Sequence, residues 1–226
     1  MDIGYSPAEM RFRQECRDWL HANIPDERRP LDAADAIGFD RDWQRRLFDA
    51  GWAGINWPSE YGGRGLSLVQ QVIWLEEYAK AHAPWIGANF VGINHGGPTL
   101  ILNASEKQKA FHLPRILKGE AIWCQGFSEP GAGSDLAGMT TRGRSQRHAG
   151  LSWVICDMHT PGITVRPIRK MSGQTEFAEV FYDDVRVPLE NVVGGLGNGW
   201  KVAMSTLSFE RGTGFIADQV KLSQEI

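Results

Sequence analysis

A carboxylate and a guanidinium stand side by side at Glu210 and Arg211, in the stretch "LSFERGTG". Apolar Leu207 and Phe209 precede them, and Gly212-Thr213-Gly214 follow. A glutamate on a helix is usually a solvated surface group. One held among apolar neighbours instead has its pKa raised, and becomes a base able to take a weakly acidic proton. A second stretch, "CQGFSEPGAGSDLAG" from Cys124 to Gly138, directly follows the apolar run Ala121-Ile122-Trp123. It reads either as a strand-ending turn or as a binding loop. In the second reading, Gly131 and Gly133 free backbone N–H groups while Ser128 and Ser134 add hydroxyls. Such a loop can hydrogen-bond the carbonyls of a flat ring and the oxygens of a phosphate.

Two further glycine-rich stretches have plainer explanations. "GGLGNG" (194–199) invites a phosphate-loop reading, but a dinucleotide fingerprint requires a βαβ unit and an acidic residue about 20 residues on. A glycine turn launching a helix accounts for it better than nicotinamide binding does. "WPSEYGGRG" (57–65) reads as a connection between two helices. The histidines at 21, 82, 95, 112, 148 and 159 are scattered without an HxxxH pair or a Cys/His cluster, so no metal site is expected.

The elements that must position these residues fall into blocks. "SPAEMRFRQECRDWLHANIP" opens with a capping-box pattern, Ser6 with Glu9, and stops before Pro25. Met10, Phe12, Cys16, Trp19 and Leu20 recur at helical spacing as a core stripe. "FDRDWQRRLFDAG" ends in Gly51, a good residue just past a helix end. "SLVQQVIWLEEYAKAHA" is a helix capped by Ser67, and "SEKQKAFHLPRILKGE" one capped by Ser105, with Pro114 as an interior irregularity. After Gly119 the pattern changes: "AIWCQGF", "LSWVICDM", "ITVRPI" and "AEVFYDDVRVP" carry strand signals. From "GNGWKVAM" the helical period returns and runs to the last residue. The order is helices, strands, helix, an α+β arrangement in segregated blocks. A final helix that ends without a C-cap suggests further chain beyond Ile226.

Bulk composition excludes several classes. The chain has 226 residues, a formal net charge of −3, 42% hydrophobic and 23% charged residues. Acids and bases interleave, which gives no reason to expect nucleic acid or an anionic membrane as partner. Cys16, Cys124 and Cys156 are far apart and odd in number, which fits a reduced cytoplasm better than a disulfide framework. "MDIGYSPAEM" lacks the basic start and apolar core of a signal peptide. No apolar run approaches the ~18 residues of a membrane span.

Taken together, the segments resemble the acyl-CoA dehydrogenases. The matches come in family order: "WPSEYGGRG", then "CQGFSEPGAGSDLAG", then "GITVRPIRKMSGQTEFAEVFYDDVRVPLENVVG", then "GNGWKVAMSTLSFERG". The resemblance implies an N-terminal all-α domain (1–120), a central antiparallel β-barrel-like domain (121–193), and the first helix of a C-terminal helical bundle (194–226). It also implies FAD as cofactor. Phe127 and Ser128 would bond the flavin edge, with Ser128 where the family usually has Thr. Gln125 would flank the ring or the acyl chain. Ser134 would sit near the FAD pyrophosphate or the pantetheine, with Gly131 and Gly133 permitting close approach.

The implied reaction is α,β-dehydrogenation of an acyl-CoA thioester: a carboxylate removes the α-proton, and the β-hydrogen leaves as hydride to the flavin. Of the family's two positions for the base, Glu210 before Arg211 matches the one on the first C-terminal helix, with Arg211 organising the site. That position hints at a bulky, branched or ring-bearing acyl group. The resemblance further implies electron-transfer flavoprotein as acceptor and a homo- or hetero-tetramer. This chain departs from the family between "MTTRG" and "RHAGLSWVICDM", where about thirty residues of β-domain have no counterpart, and in most of the C-terminal helices. Alternative readings are a non-catalytic subunit of a hetero-oligomer, which those gaps favour, and an acyl-CoA oxidase.

Overall fold

The structure is a computed structural model. It describes residues 4–129, 150–171, 173, 175–210 and 216–225. Contacts divide the chain into two compact units, one comprising 1–98, 112–123 and 208–226, the other 99–111 and 124–207.

The first unit is helical. Helix α1 (Pro7–Asn23) starts at the expected capping box, with the Ser6 side chain accepting from the Glu9 amide and Glu9 reaching back to the Ser6 N–H. Helix α2 (Ala33–Asp49) is capped by Asp32, which accepts from the Ala34 and Asp35 amides. It therefore begins six residues before the start that periodicity suggested, because a side-chain cap fixes the end more firmly than the apolar stripe does. Its other end closes as expected, with Gly51 at φ +72° and the Trp52 amide donating to Leu47 O. Helix α3 (Leu68–Lys80) has a second capping box, Ser67 with Gln70. Helix α7 (Ile216–Glu225) packs on α3.

The tryptophans form the centre of this unit. Trp52 and Trp74 stack at 4.1 Å, and Trp19 tilts against Trp43, Trp52 and Trp74 at about 5.8–5.9 Å. Cys16, Leu20, Ile73, Leu113, Ile116 and Leu117 fill the space around them. Arg13 and Arg17 converge on buried Glu77, at 2.5 Å each, and Arg13 also reaches Glu76 at 2.7 Å. This arrangement balances a charge that burial alone would penalise.

The second unit holds the strands. β2 (Ile163–Ile168) and β3 (Phe177–Tyr182) pair antiparallel from Ile163 opposite Tyr182 to Ile168 opposite Phe177. β1 (Trp153–Val154) pairs antiparallel with β4 (Val192–Val193). Among the described residues these are two separate two-stranded ladders, so the fold is α+β with antiparallel sheets and a closed barrel is not seen. "AIWCQGF", expected as a strand, joins neither ladder. Helices α4 (Gly97–Asn103), α5 (Glu106–Leu117, continuing through Pro114) and α6 (Gly199–Phe209) complete the described elements. The terminal helical stretch is thus two helices rather than one. α6 stops at Phe209 and Glu210 stands in a turn, just before Gly212 and Gly214, which disfavour helix by about 1 kcal/mol each.

"GGLGNG" behaves as the helix-launching turn expected of it. Gly194, Gly195 and Gly197 all have positive φ, and Asn198 closes the loop on Gly194 O at 2.8 Å. No helix among the described residues is long and apolar enough to cross a membrane.

Candidate active site

Within the second unit, two buried hydroxyls tie α4 to α6. Thr99 Oγ1 lies 2.9 Å from Thr206 Oγ1, and both residues are at most 2% exposed. One turn further along α4, Asn103 donates to Ser205 Oγ at 2.9 Å. In the first unit, His95 Nδ1 lies 3.9 Å from Glu210 Oε1.

His95 does not sit in ordinary α-helix. Gly92–Gly96 form one turn of π-helix directly ahead of α4. Such wide turns release backbone groups and recur at functional sites. Here Trp57, from "WPSEYGGRG", donates its indole N–H to the Ile93 carbonyl at 2.9 Å. The turn also lies flat on its neighbours. A Cβ at Gly96 would come within 3.0 Å of Trp123, and one at Gly97 within 1.8 Å of Trp57. The tryptophan of that helix connection is therefore a prop for the histidine turn, with its side chain 1% exposed.

His95 is 8% exposed, and its ring meets Phe90 edge-on at 5.3 Å. Its Nδ1 is buried without a hydrogen-bond partner. The Glu210 side chain is one-third exposed, reaching solvent from the end of α6. Sequence reasoning singled out Glu210 and passed over His95, which carried no motif.

The flavin-binding residues expected from the sequence belong to the second unit. Gln125 and Ser128 are exposed and Phe127 is half-buried, all on the segment after Trp123. The Phe127 and Ser128 amides and the Ser128 hydroxyl have no partner among the described residues. A Cβ at Gly126 would meet only the Tyr182 hydroxyl, at 3.6 Å. Burial pushes the Cys124 thiol up, and burial followed by Cys124 and Cys156 pushes Tyr182 up, so both stay neutral at neutral pH. Gly131, Gly133, Ser134 and Arg211 lie outside the described residues. No group of three or more metal-ligating side chains occurs among the described residues.

Residues 6–120 match the family "Acyl-CoA dehydrogenase, N-terminal domain". The chain belongs to the acyl-CoA dehydrogenase family. It is 38% identical over 255 positions to "Acyl-CoA dehydrogenase IpdE1" of Mycobacterium tuberculosis, an alignment using 95% of this chain and 66% of that protein. The Mycolicibacterium smegmatis protein of the same name is 36% identical, with 95% and 67% covered. Among solved structures, the "Tcur3481-Tcur3483 steroid ACAD" superposes with a TM-score of 0.83 at 30% identity, covering all of this chain and 66% of that one. The family member thus spans about two thirds of the length of the relatives it matches. Of the 255 aligned positions, 95% of 226 residues supply only about 215, so about forty positions of the relative have no counterpart here.

Phe127 and Ser128 fit the family's cofactor in donor chemistry. A flat heteroaromatic edge with alternating carbonyls and N–H groups asks for backbone amides, a backbone carbonyl and a hydroxyl. Phe127 and Ser128 carry these groups on a stretch outside both ladders of the described residues.

Proposed function

We propose that the protein is an FAD-dependent acyl-CoA dehydrogenase, introducing an α,β double bond into an acyl-CoA thioester with Glu210 as the base. The observation that carries this reading is the placement of Glu210. In the first unit it is partly open to solvent, with its carboxylate 3.9 Å from Nδ1 of buried His95.

The α-proton of a thioester is very weakly acidic in water. A carboxylate removes it only if held close to the α-carbon, with water largely excluded. Glu210 directly follows helix α6, and the sequence after it, Gly212-Thr213-Gly214, is made of small residues. Arg211 organises the site beside it. Phe127 and Ser128 hold the edge of FAD, Gln125 flanks the ring or acyl chain, and Gly133 and Ser134 serve the pyrophosphate or pantetheine. When bound, FAD supplies the acceptor for the two electrons leaving the β-carbon.

The acyl group is bulky, branched or ring-bearing. This rests on the position of the base and on similarity to a "steroid ACAD" and, at 24% identity, to isovaleryl-CoA dehydrogenase of Bos taurus. The assembly is a tetramer, homomeric or with a related second subunit, located in the cytoplasm and passing electrons to an electron-transfer flavoprotein. The "ChsE4-ChsE5 complex from Mycobacterium tuberculosis", 32% identical with a TM-score of 0.76, supports the two-subunit form.

The test is to purify the full-length protein with any co-purifying subunit and incubate it with acyl-CoA panels under argon and in air. Enoyl-CoA formed only with an artificial electron acceptor supports the dehydrogenase. Rapid turnover on O₂ alone would make it an oxidase, and no enoyl-CoA from any thioester would leave the non-catalytic subunit.

A further inference from the structure

Resting on that reading, we infer that His95 is a positioning residue for the base, its Nδ1–H aimed at the Glu210 carboxylate. Three observations converge on this one atom. Nδ1 is buried without a hydrogen-bond partner, which native interiors avoid unless the group serves a purpose. Glu210 Oε1 stands 3.9 Å away, outside hydrogen-bond range, so a shift of about 1 Å closes the contact. The ring is carried on a π-helical turn pinned by the Trp57 indole and braced by its edge contact with Phe90.

The His95 ring is held by its neighbours, and the Glu210 carboxylate facing it is one-third exposed. A donor fixed on the protein side takes one carboxylate oxygen and leaves the other to receive the proton. His95 therefore touches neither the thioester nor the cofactor; it acts through Glu210.

The experiment uses the full-length holoenzyme and two readouts. The first is steady-state kcat and KM. The second is deuterium uptake from D₂O at the α-carbon of 3,3-dimethylbutanoyl-CoA. Its β-carbon bears no hydrogen, so exchange reports the base without oxidation. Three substitutions are compared: His95→Leu removes the donor, His95→Asn places an N–H where Nδ1 stood, and His95→Gln places one where Nε2 stood. The expected result is a fall of about 10–100-fold in both kcat and exchange for His95→Leu, with KM little changed. His95→Asn recovers most of the loss and His95→Gln does not. The inference is overturned if His95→Leu exchanges at the wild-type rate, or if Gln rescues as well as Asn. Wild-type enzyme that exchanges no α-proton and oxidises no thioester would bring down the functional reading itself, and this inference with it.

Discussion

Gly97→Ala should destabilise this protein although it replaces glycine by alanine inside a helix, and the structure allows the size to be worked out. Gly97 has ordinary helical φ, −58°, so propensity alone favours alanine by about 0.8–1 kcal/mol. Against that, the added Cβ would stand 1.8 Å from Trp57 Cζ2, about 1.7 Å short of a normal carbon contact. Trp57 is fully buried and has nowhere to swing without giving up its bond to Ile93 O, worth about 0.5–1.5 kcal/mol. Overpacking of this kind costs about 1–3 kcal/mol. The net is a loss of about 2 kcal/mol, read as a Tm lower by about 4–8 °C. Gly38→Ala is the matched control, since it also lies within a helix but has nothing within 4 Å of its Cβ. It should gain about 0.5–1 kcal/mol. Thermal melts of the two variants should therefore move in opposite directions. If both rise, the reasoning about the propped turn fails.

Acid should unfold the helical unit through Glu77. Burial pushes its pKa up, but hydrogen bonds from Arg17 and Arg13 outweigh burial and leave it below the ordinary 4.5. A depressed carboxylate contributes stability above its unfolded pKa and loses it as pH falls through the folded value. Melting temperature should hold from neutral pH to about 5 and then drop, and Glu77→Gln should lower it at pH 7 while flattening that drop; a variant with the wild-type acid limb would contradict this. The Cys16 thiol, pushed up to about 12 by burial, should resist alkylation at pH 8 until the protein unfolds, whereas Cys124, although its thiol is also pushed up, is exposed enough to be labelled slowly in the native state. Peptide mapping after iodoacetamide treatment decides, and native labelling of Cys16 would show that the tryptophan core opens readily.

Much of the helical framework is legible in the sequence because its signals are local. Ser6 with Glu9, Ser67 with Gln70, and Gly51 each fix a helix end within four residues. The β2–β3 pair is legible for the same reason, as two six-residue runs of strand-forming residues. The ladder of β1 with β4 is not, since two residues per strand carry no alternation and their partners come from far along the chain. The π-helical turn at Gly92–Gly96 has no periodic signature at all; it is imposed by Trp57 and the close packing of Gly96 and Gly97. Glu210 drew attention through its apolar flank and, by resemblance, its place before Arg211. Its nearness to His95 was not legible, because the two are more than a hundred positions apart in the chain.

The most direct measurement is anaerobic mixing of full-length protein with CoA thioesters, from short straight chains to ring-bearing acids, while following the visible flavin absorbance of wild type and Glu210→Gln. The account predicts that a bulky thioester bleaches the wild-type flavin. Glu210→Gln should retain the same flavin content and be reduced about 10²–10⁴-fold more slowly. Equal rates in the two proteins, or a wild-type flavin that no acyl-CoA reduces, would contradict it.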